Sequence, residues 1–180
     1  MFLYTSDFSS LTHYIIEHFV KNKNIAIDAT LGNGYDTNFL SEKFKNVIAF
    51  DIQKEACEKY LEHKNSNVTI INDSHNKFKE YINSKVDCIV YNLGFLPGGD
   101  KSITTIHTTS LESIKSGLDI LSNGALMLIT VYRGHQEGKI EYLHISDYLI
   151  NLPKDKYAVM KHEIVNRSEN SPMLFVVEKK

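Results

Sequence analysis

Apolar positions along the chain change their period repeatedly, and each change marks an element. Leu11, Tyr14, Ile15, His18 and Phe19 recur at the spacing that lines one face of a helix, with Ser9 or Ser10 placed to cap it. Residues 25–28 form a short apolar run that breaks at glycines, as a strand does. Helical spacing returns over residues 35–44, a second strand covers 47–51, and a charged helix over 53–63 turns Ala56, Cys57, Tyr60 and Leu61 inward. A third strand spans 68–71, and Phe78, Tyr81 and Ile82 mark a short helix. The fourth strand covers 86–91 and leads into a long polar loop over 92–102, followed by a long helix over 103–121. Residues 125–131 are the most apolar run of all, the pattern of a central strand buried on both faces. A helix over 140–150 follows, and two strands, 157–165 and 173–177, close the chain.

Strands alternating with helices imply right-handed crossovers and a parallel sheet covered on both faces. The last two strands lack a helix between them, which implies an antiparallel pair at one edge. The predicted fold is therefore a single α/β domain over residues 1–180: a Rossmann-like, doubly wound, seven-stranded and mostly parallel sheet with an antiparallel C-terminal strand pair. With 180 residues the chain can bury a core without disulfides or metal. Its two cysteines, Cys57 and Cys88, form no CxxC motif, which reads as reduced, cytoplasmic usage. No signal peptide and no apolar stretch of membrane-spanning length is expected. A net charge of −2 argues against a broadly basic nucleic-acid coat, though not against a local patch.

Doubly wound sheets bind ligands beyond the carboxyl ends of their strands, so the three strand-end loops carry the chemistry. The first strand ends in Asp28, and Gly32 and Gly34 follow at the opening of a helix. The next strand ends in Asp51, a carboxylate placed to accept hydrogen bonds from both hydroxyls of a ribose. A dinucleotide fingerprint would want Gly or Ala where Thr37 stands, and the Asp28 carboxylate would repel a pyrophosphate. S-adenosylmethionine has a ribose, an adenine and cationic groups but no phosphate, and it fits better. Asp73, Ser74 and His75, after the third strand, would then lie beside the adenine, with Asp73 accepting from its amino group.

Asn92 at the end of the fourth strand resembles the first residue of the Asn-Pro-Pro-Tyr loop of amino-group methyltransferases, although Leu93, Gly94 and Phe95 replace the rest. There the Asn carbonyl aims an amine at the transferred methyl group. An amine acceptor must attack unprotonated, and Asp100, His135 or water is suited to take the proton. After the fifth strand, Tyr132 is suited to stack on a base and Arg133 to contact phosphate or a base edge. The remaining histidines show no metal-ligand spacing, and no nucleophile elbow or Walker lysine occurs.

Residues 28–37, 92–101 and 132–138, together with the closing segments 166–168 and 171–174, resemble the YtqB/MnmM family of rRNA-methylase-like proteins over nearly the whole chain. The resemblance implies a class I methyltransferase that uses S-adenosylmethionine and methylates the aminomethyl group of a tRNA wobble uridine. It implies that Asp28, Thr30, Gly32, Asn33, Gly34, Asp36 and Thr37 line the cofactor, and that Asp51 and Gln53 hold ribose and adenine. Asn92, Leu93, Gly94 and the loop Pro97, Gly98, Gly99, Asp100, Lys101 would meet the acceptor amine. Tyr132, Arg133, Gly134 and His135 would face the nucleic acid, here a tRNA anticodon stem-loop. Separately from the resemblance, exposed apolar surface on an edge helix or the late hairpin is expected to support a homodimer. The alternatives are an rRNA or small-molecule amine methyltransferase with the same pocket, an NAD-dependent oxidoreductase, and a catalytically inert module of the same fold.

Overall fold

The structure, a computed structural model, describes residues 4, 7–96, 98–99 and 103–180. Among the described residues, six helices and seven strands follow in the order α1 (Phe8–Phe19), β1 (Ile25–Asp28), α2 (Tyr35–Lys43), β2 (Asn46–Phe50), α3 (Lys54–Leu61), β3 (Val68–Ile71), a 3-10 turn (His75–Lys77) running into α4 (Phe78–Tyr81), β4 (Val86–Leu93), α5 (His107–Ile120), β5 (Leu121–Val131), α6 (Gln136–Ile150), β6 (Tyr157–His162) and β7 (Met173–Lys179). The strands order as β3-β2-β1-β4-β5-β7-β6. The pairings among β1 to β5 are parallel, whereas β7 runs antiparallel to both β5 and β6. The expected antiparallel C-terminal pair is present, and its second strand is inserted beside β5, so β6 forms the edge.

Side chains alternate between the two faces of the sheet and so divide the buried strand residues between two cores. Cys88 and Val90 of β4 pack with α1, α2 and α3 through Ile16, Leu40 and Tyr60. Their neighbours Ile89, Tyr91 and Leu93 pack with α5 and α6 through Ile114, Leu118, Ile145 and Leu149. A strand buried on both faces is near-continuously apolar, which is why residues 88–91 of β4 and 125–129 of β5 read as apolar runs.

Several boundaries differ from the sequence-based expectation. Asp7, not Ser9 or Ser10, caps α1: its carboxylate accepts from the Ser10 amide at 2.7 Å and the Ser10 hydroxyl at 2.9 Å, while both serines lie inside the first turn. The helix expected from residue 103 starts at His107, because Thr104 bridges to Phe95 and the Thr105 amide donates to the Gly94 carbonyl. β4 continues through Asn92 to Leu93, and α6 begins four residues early, at Gln136, with His135 as its cap. The calls on Pro97, Asp100 and Lys101 lie outside the described residues.

Candidate active site

The strand order reverses between β1, which continues through β2 to β3, and β4, which leads to β5. A crevice opens there beyond the carboxyl ends of the strands, as in other doubly wound sheets. It holds a cavity of about 560 Å³, within the range of small-molecule sites. Of the residues expected at the site, Thr30, Gly32, Asn33, Asp36, Asp51, Gln53, Asp73, Ser74, His75, Asn92, Gly94, Tyr132, Gly134 and His135 line it.

Asp51 sits one residue past β2. Its Oδ2 accepts from the Gly32 amide and its Oδ1 from the Gln53 amide, both at 2.8 Å. The carboxylate thus acts at once as a local cap and as a tether for the glycine loop. Each oxygen keeps a lone pair for a further donor. Burial raises its pKa above the usual carboxylate range, against the pull of the backbone amides. Gly34 ends the loop with φ +78 and opens α2, and an added Cβ would lie 2.3 Å from the Tyr60 ring.

Asp28 does not reach the cavity wall. It is wholly buried, with the Thr37 hydroxyl donating to Oδ2 at 2.6 Å and the Thr30 amide to Oδ1 at 3.0 Å. Burial first, and then the neighbouring Asp36 carboxylate, push its pKa up to about 7. Asp28, Thr37 and Gly34 therefore brace the loop from behind. Asp73 is on the wall, but Lys77 and the Tyr81 hydroxyl already hold its carboxylate, so an adenine amino group would have to share it. His75 is buried, and desolvation lowers its pKa to about 4, so the imidazole is neutral at physiological pH.

On the opposite wall, the Asn92 amide donates to Thr30 Oγ1 at 2.8 Å, which locks β4 to the first loop. The Asn92 side-chain NH2 donates to Asp36 Oδ2, and Asp36 Oδ1 accepts from His13 Nε2 at 2.6 Å. Tyr132 packs over Gly94 and half faces solvent. His135 caps α6, its Nδ1 accepting from the Gly138 amide at 3.1 Å. The expected proton acceptor His135 thus lines the cavity with one ring nitrogen committed to capping α6, and its Nε2 is buried without a protein partner.

Arg133 is also redirected. It is buried, with Nε donating to the Ser171 carbonyl at 3.0 Å, Nη2 donating to Glu163 Oε1 at 2.8 Å, and the guanidinium lying over Tyr142. These two donations and its burial direct the side chain into the fold. Leu93 is a core residue, and Gly98 and Gly99 form an exposed turn in which the Gly99 amide donates to the Leu96 carbonyl. None of the three lines the cavity.

Sequence reasoning missed an apolar rim. Tyr35, Ile52, Phe95, Ile103 and Ile106 line the cavity while remaining substantially exposed. Large exposed apolar side chains around one cleft mark a binding surface, but in the sequence they read as ordinary helix or loop residues. Four of the described lining residues also carry a buried polar atom without a protein partner: Asn92 Oδ1, His75 Nδ1, Thr104 Oγ1 and His135 Nε2. Buried polar atoms are normally hydrogen-bonded, so this wall matches a ligand with several polar groups. Acidic Asp51 at the ribose end, neutral His75, and the absence of any Lys or Arg among the described lining residues fit a phosphate-free nucleoside such as S-adenosylmethionine.

Comparisons with known proteins agree with this geometry. The family described as "Putative rRNA methylase" matches residues 47–178. A chloroplastic tRNA (mnm(5)s(2)U34)-methyltransferase of Arabidopsis thaliana is 30% identical over 189 residues, covering 95% of this chain and 69% of that protein. The crystal structure of a "putative rRNA-methylase" from Clostridium thermocellum superposes with a TM-score of 0.90 at 30% identity, covering 96% of this chain and 97% of the other. A "putative methyltransferase" of Streptococcus mutans, solved in complex with S-adenosylhomocysteine (SAH), superposes with a TM-score of 0.87 at 34% identity, with 96% and 97% coverage. The chain belongs to the family described as "Putative rRNA methylase" and is an S-adenosylmethionine-dependent methyltransferase of the class I fold.

Proposed function

We propose that the enzyme methylates the primary amine of 5-aminomethyluridine, with or without a 2-thio group, at the wobble position of tRNA, giving the 5-methylaminomethyl nucleoside. One observation carries the reading. Asn92 lines the cavity, and its side-chain Oδ1 is a buried hydrogen-bond acceptor with no protein donor. An amine N–H is the donor that it lacks. The name of the Arabidopsis relative, which covers most of this chain, supports the tRNA substrate.

When bound, S-adenosylmethionine supplies a methyl group made electrophilic by its sulfonium. Asp51 would hold the ribose hydroxyls while the loop at Gly32 keeps that carboxylate in place. Asn92 Oδ1 would accept one N–H of the acceptor, which turns the nitrogen lone pair toward the crevice. Alignment of this kind is worth up to about 7–11 kcal/mol in favourable cases. Phe95 and Tyr132 offer aromatic faces on which an extruded uracil can stack. Catalysis then consists of positioning rather than covalent chemistry. Two buried, unpaired cysteines are in keeping with a reducing, cytoplasmic setting, and no helix among the described residues is long and apolar enough to cross a membrane.

The test is mass spectrometry of wobble nucleosides from a strain lacking the gene, together with methyl transfer by the purified protein. Accumulation of aminomethyluridine in the strain, reversed in vitro by protein and S-adenosylmethionine, is expected. An unchanged methylated nucleoside would overturn the reading, and loss of a methylated rRNA or small-molecule amine instead would move the substrate.

A further inference from the structure

We infer that Asp36, backed by His13, is a positioning residue that fixes which end of the Asn92 side chain faces the acceptor. The inference rests on the amine-methyltransferase reading above and goes one step behind it.

Three elements meet at Asp36. It stands in the first turn of α2 and is almost wholly buried. Its Oδ2 accepts from the Asn92 NH2 on β4, and its Oδ1 accepts from His13 Nε2 on α1 at 2.6 Å. The His13 ring is itself stacked on Phe39, 3.9 Å between centroids and nearly coplanar, so it is held on its face as well as at its edge.

The chemistry of this contact is one-sided. A carboxylate oxygen accepts and never donates, while an asparagine amide has one accepting and one donating end. The two ends are close to isosteric, so the side chain could otherwise adopt either orientation. Turned over, Asn92 would press its carbonyl against the Asp36 carboxylate and present NH2 to the cavity. An NH2 group would meet a primary amine donor to donor and leave its lone pair misdirected. With Asp36 in place, the NH2 is spent on the carboxylate, and Oδ1 is left as the end without a protein donor in a residue that lines the cavity. Donation to an anion also polarises the amide, which strengthens Oδ1 as an acceptor. The Asn92 backbone is pinned separately by its N–H to Thr30 Oγ1, so the amide orientation is the freedom that remains for Asp36 to remove.

The experiment compares D36N, N92D and the exchanged pair D36N/N92D with wild type, using tRNA carrying 5-aminomethyluridine. Binding of SAH is measured by calorimetry on each. In D36N the neighbouring amide no longer dictates the orientation of Asn92. Its kcat should fall about 10- to 100-fold, with KM for tRNA and SAH affinity within about threefold of wild type. N92D sets two carboxylates against each other and should be poorer still. The exchanged pair restores a donor on one side and an acceptor toward the cavity, so its kcat should recover to at least tenfold above either single variant. A D36N enzyme with wild-type kcat, or an exchanged pair no better than the singles, would overturn the assignment.

A second readout does not depend on turnover. In protein labelled with 15N-asparagine, the Asn92 side-chain amide is identified by its loss in N92D. It should exchange with solvent at least tenfold more slowly than exposed asparagine amides, and D36N should abolish that protection. Active wild type with a freely exchanging Asn92 amide overturns the inference and leaves the tRNA reading intact. Protected amide in a protein that methylates no aminomethyluridine does the reverse.

Discussion

At the residue scale the site is governed by carboxylates in unlike settings. Asp51 is partly exposed to the crevice and holds two backbone amides. Losing a charged acceptor for two ribose hydroxyls weakens binding by about 1–3 kcal/mol, so Asp51→Ala should raise the SAH dissociation constant roughly 5- to 150-fold by calorimetry. Unchanged affinity would reduce Asp51 to a structural cap. Glu141 lies outside the cavity but is wholly buried between α5 and α6, where it accepts from the Ser110 hydroxyl at 2.5 Å and the Thr105 hydroxyl at 3.0 Å. Burial pushes its pKa up to about 7 despite those donors. A carboxyl whose folded pKa exceeds its unfolded one is most favourable to the fold below the unfolded value, near 4.5, and loses that contribution as pH rises through the folded value, near 7. Glu141→Gln should therefore match wild type in urea denaturation at pH 4.5. It should exceed wild type at pH 8.5 by a margin on the order of 3 kcal/mol at most. Equal stabilities at both values would show that Glu141 ionises without hindrance.

At the element scale, the loop between β1 and α2 depends on one backbone conformation. Gly34 adopts φ +78 at the start of α2, and Tyr60 fills the space where a Cβ would project while its hydroxyl donates to Asn38 at 2.7 Å. Gly34→Ala meets strain on both counts and should destabilise the protein by about 1–3 kcal/mol, with a larger proportional loss of SAH binding, because the loop carries the Gly32 amide that anchors Asp51. Melting in the presence and absence of SAH separates the two effects. This loop was legible in the sequence: two glycines after an apolar run, then helical spacing, leave few alternatives. The same holds for the strands, whose alternation or unbroken apolarity follows from burial on one face or two. The segment 103–106 was not legible. Ile103 and Ile106 extend the helical period of α5 backward, yet Thr105 is tied to Gly94 and Glu141, and that tertiary pull outweighs the local pattern. His13 was equally opaque. Nothing in the α1 sequence says that one turn of that helix reaches Asp36, since the contact exists only once α1 docks on α2.

At the scale of the whole molecule, the reversed strand β7 sets how the third strand-end loop is held. Because β7 lies between β5 and β6, the segment joining β6 to β7 passes close to the loop after β5, and Arg133 bridges them through Glu163 and the Ser171 carbonyl while covering Tyr142 of α6. Tyr142 in turn stacks on Phe175 of β7. A guanidinium on a strand-end loop invites a phosphate-binding interpretation from sequence, but here its donors are already directed inward. The two roles predict different losses. Removing a buried, paired arginine leaves a carbonyl and a carboxylate short of a donor, so Arg133→Ala should lower stability to urea by about 2–4 kcal/mol, moderated by Lys161, which also pairs with Glu163. Under conditions where the variant stays folded, the slope of log tRNA affinity against log salt should match wild type. A phosphate contact would instead leave stability nearly intact and reduce that slope by about one unit. Measuring both quantities on one variant decides whether this arginine contacts the proposed tRNA substrate directly or acts by keeping Tyr132 and His135, its neighbours in the chain, on the wall of the crevice.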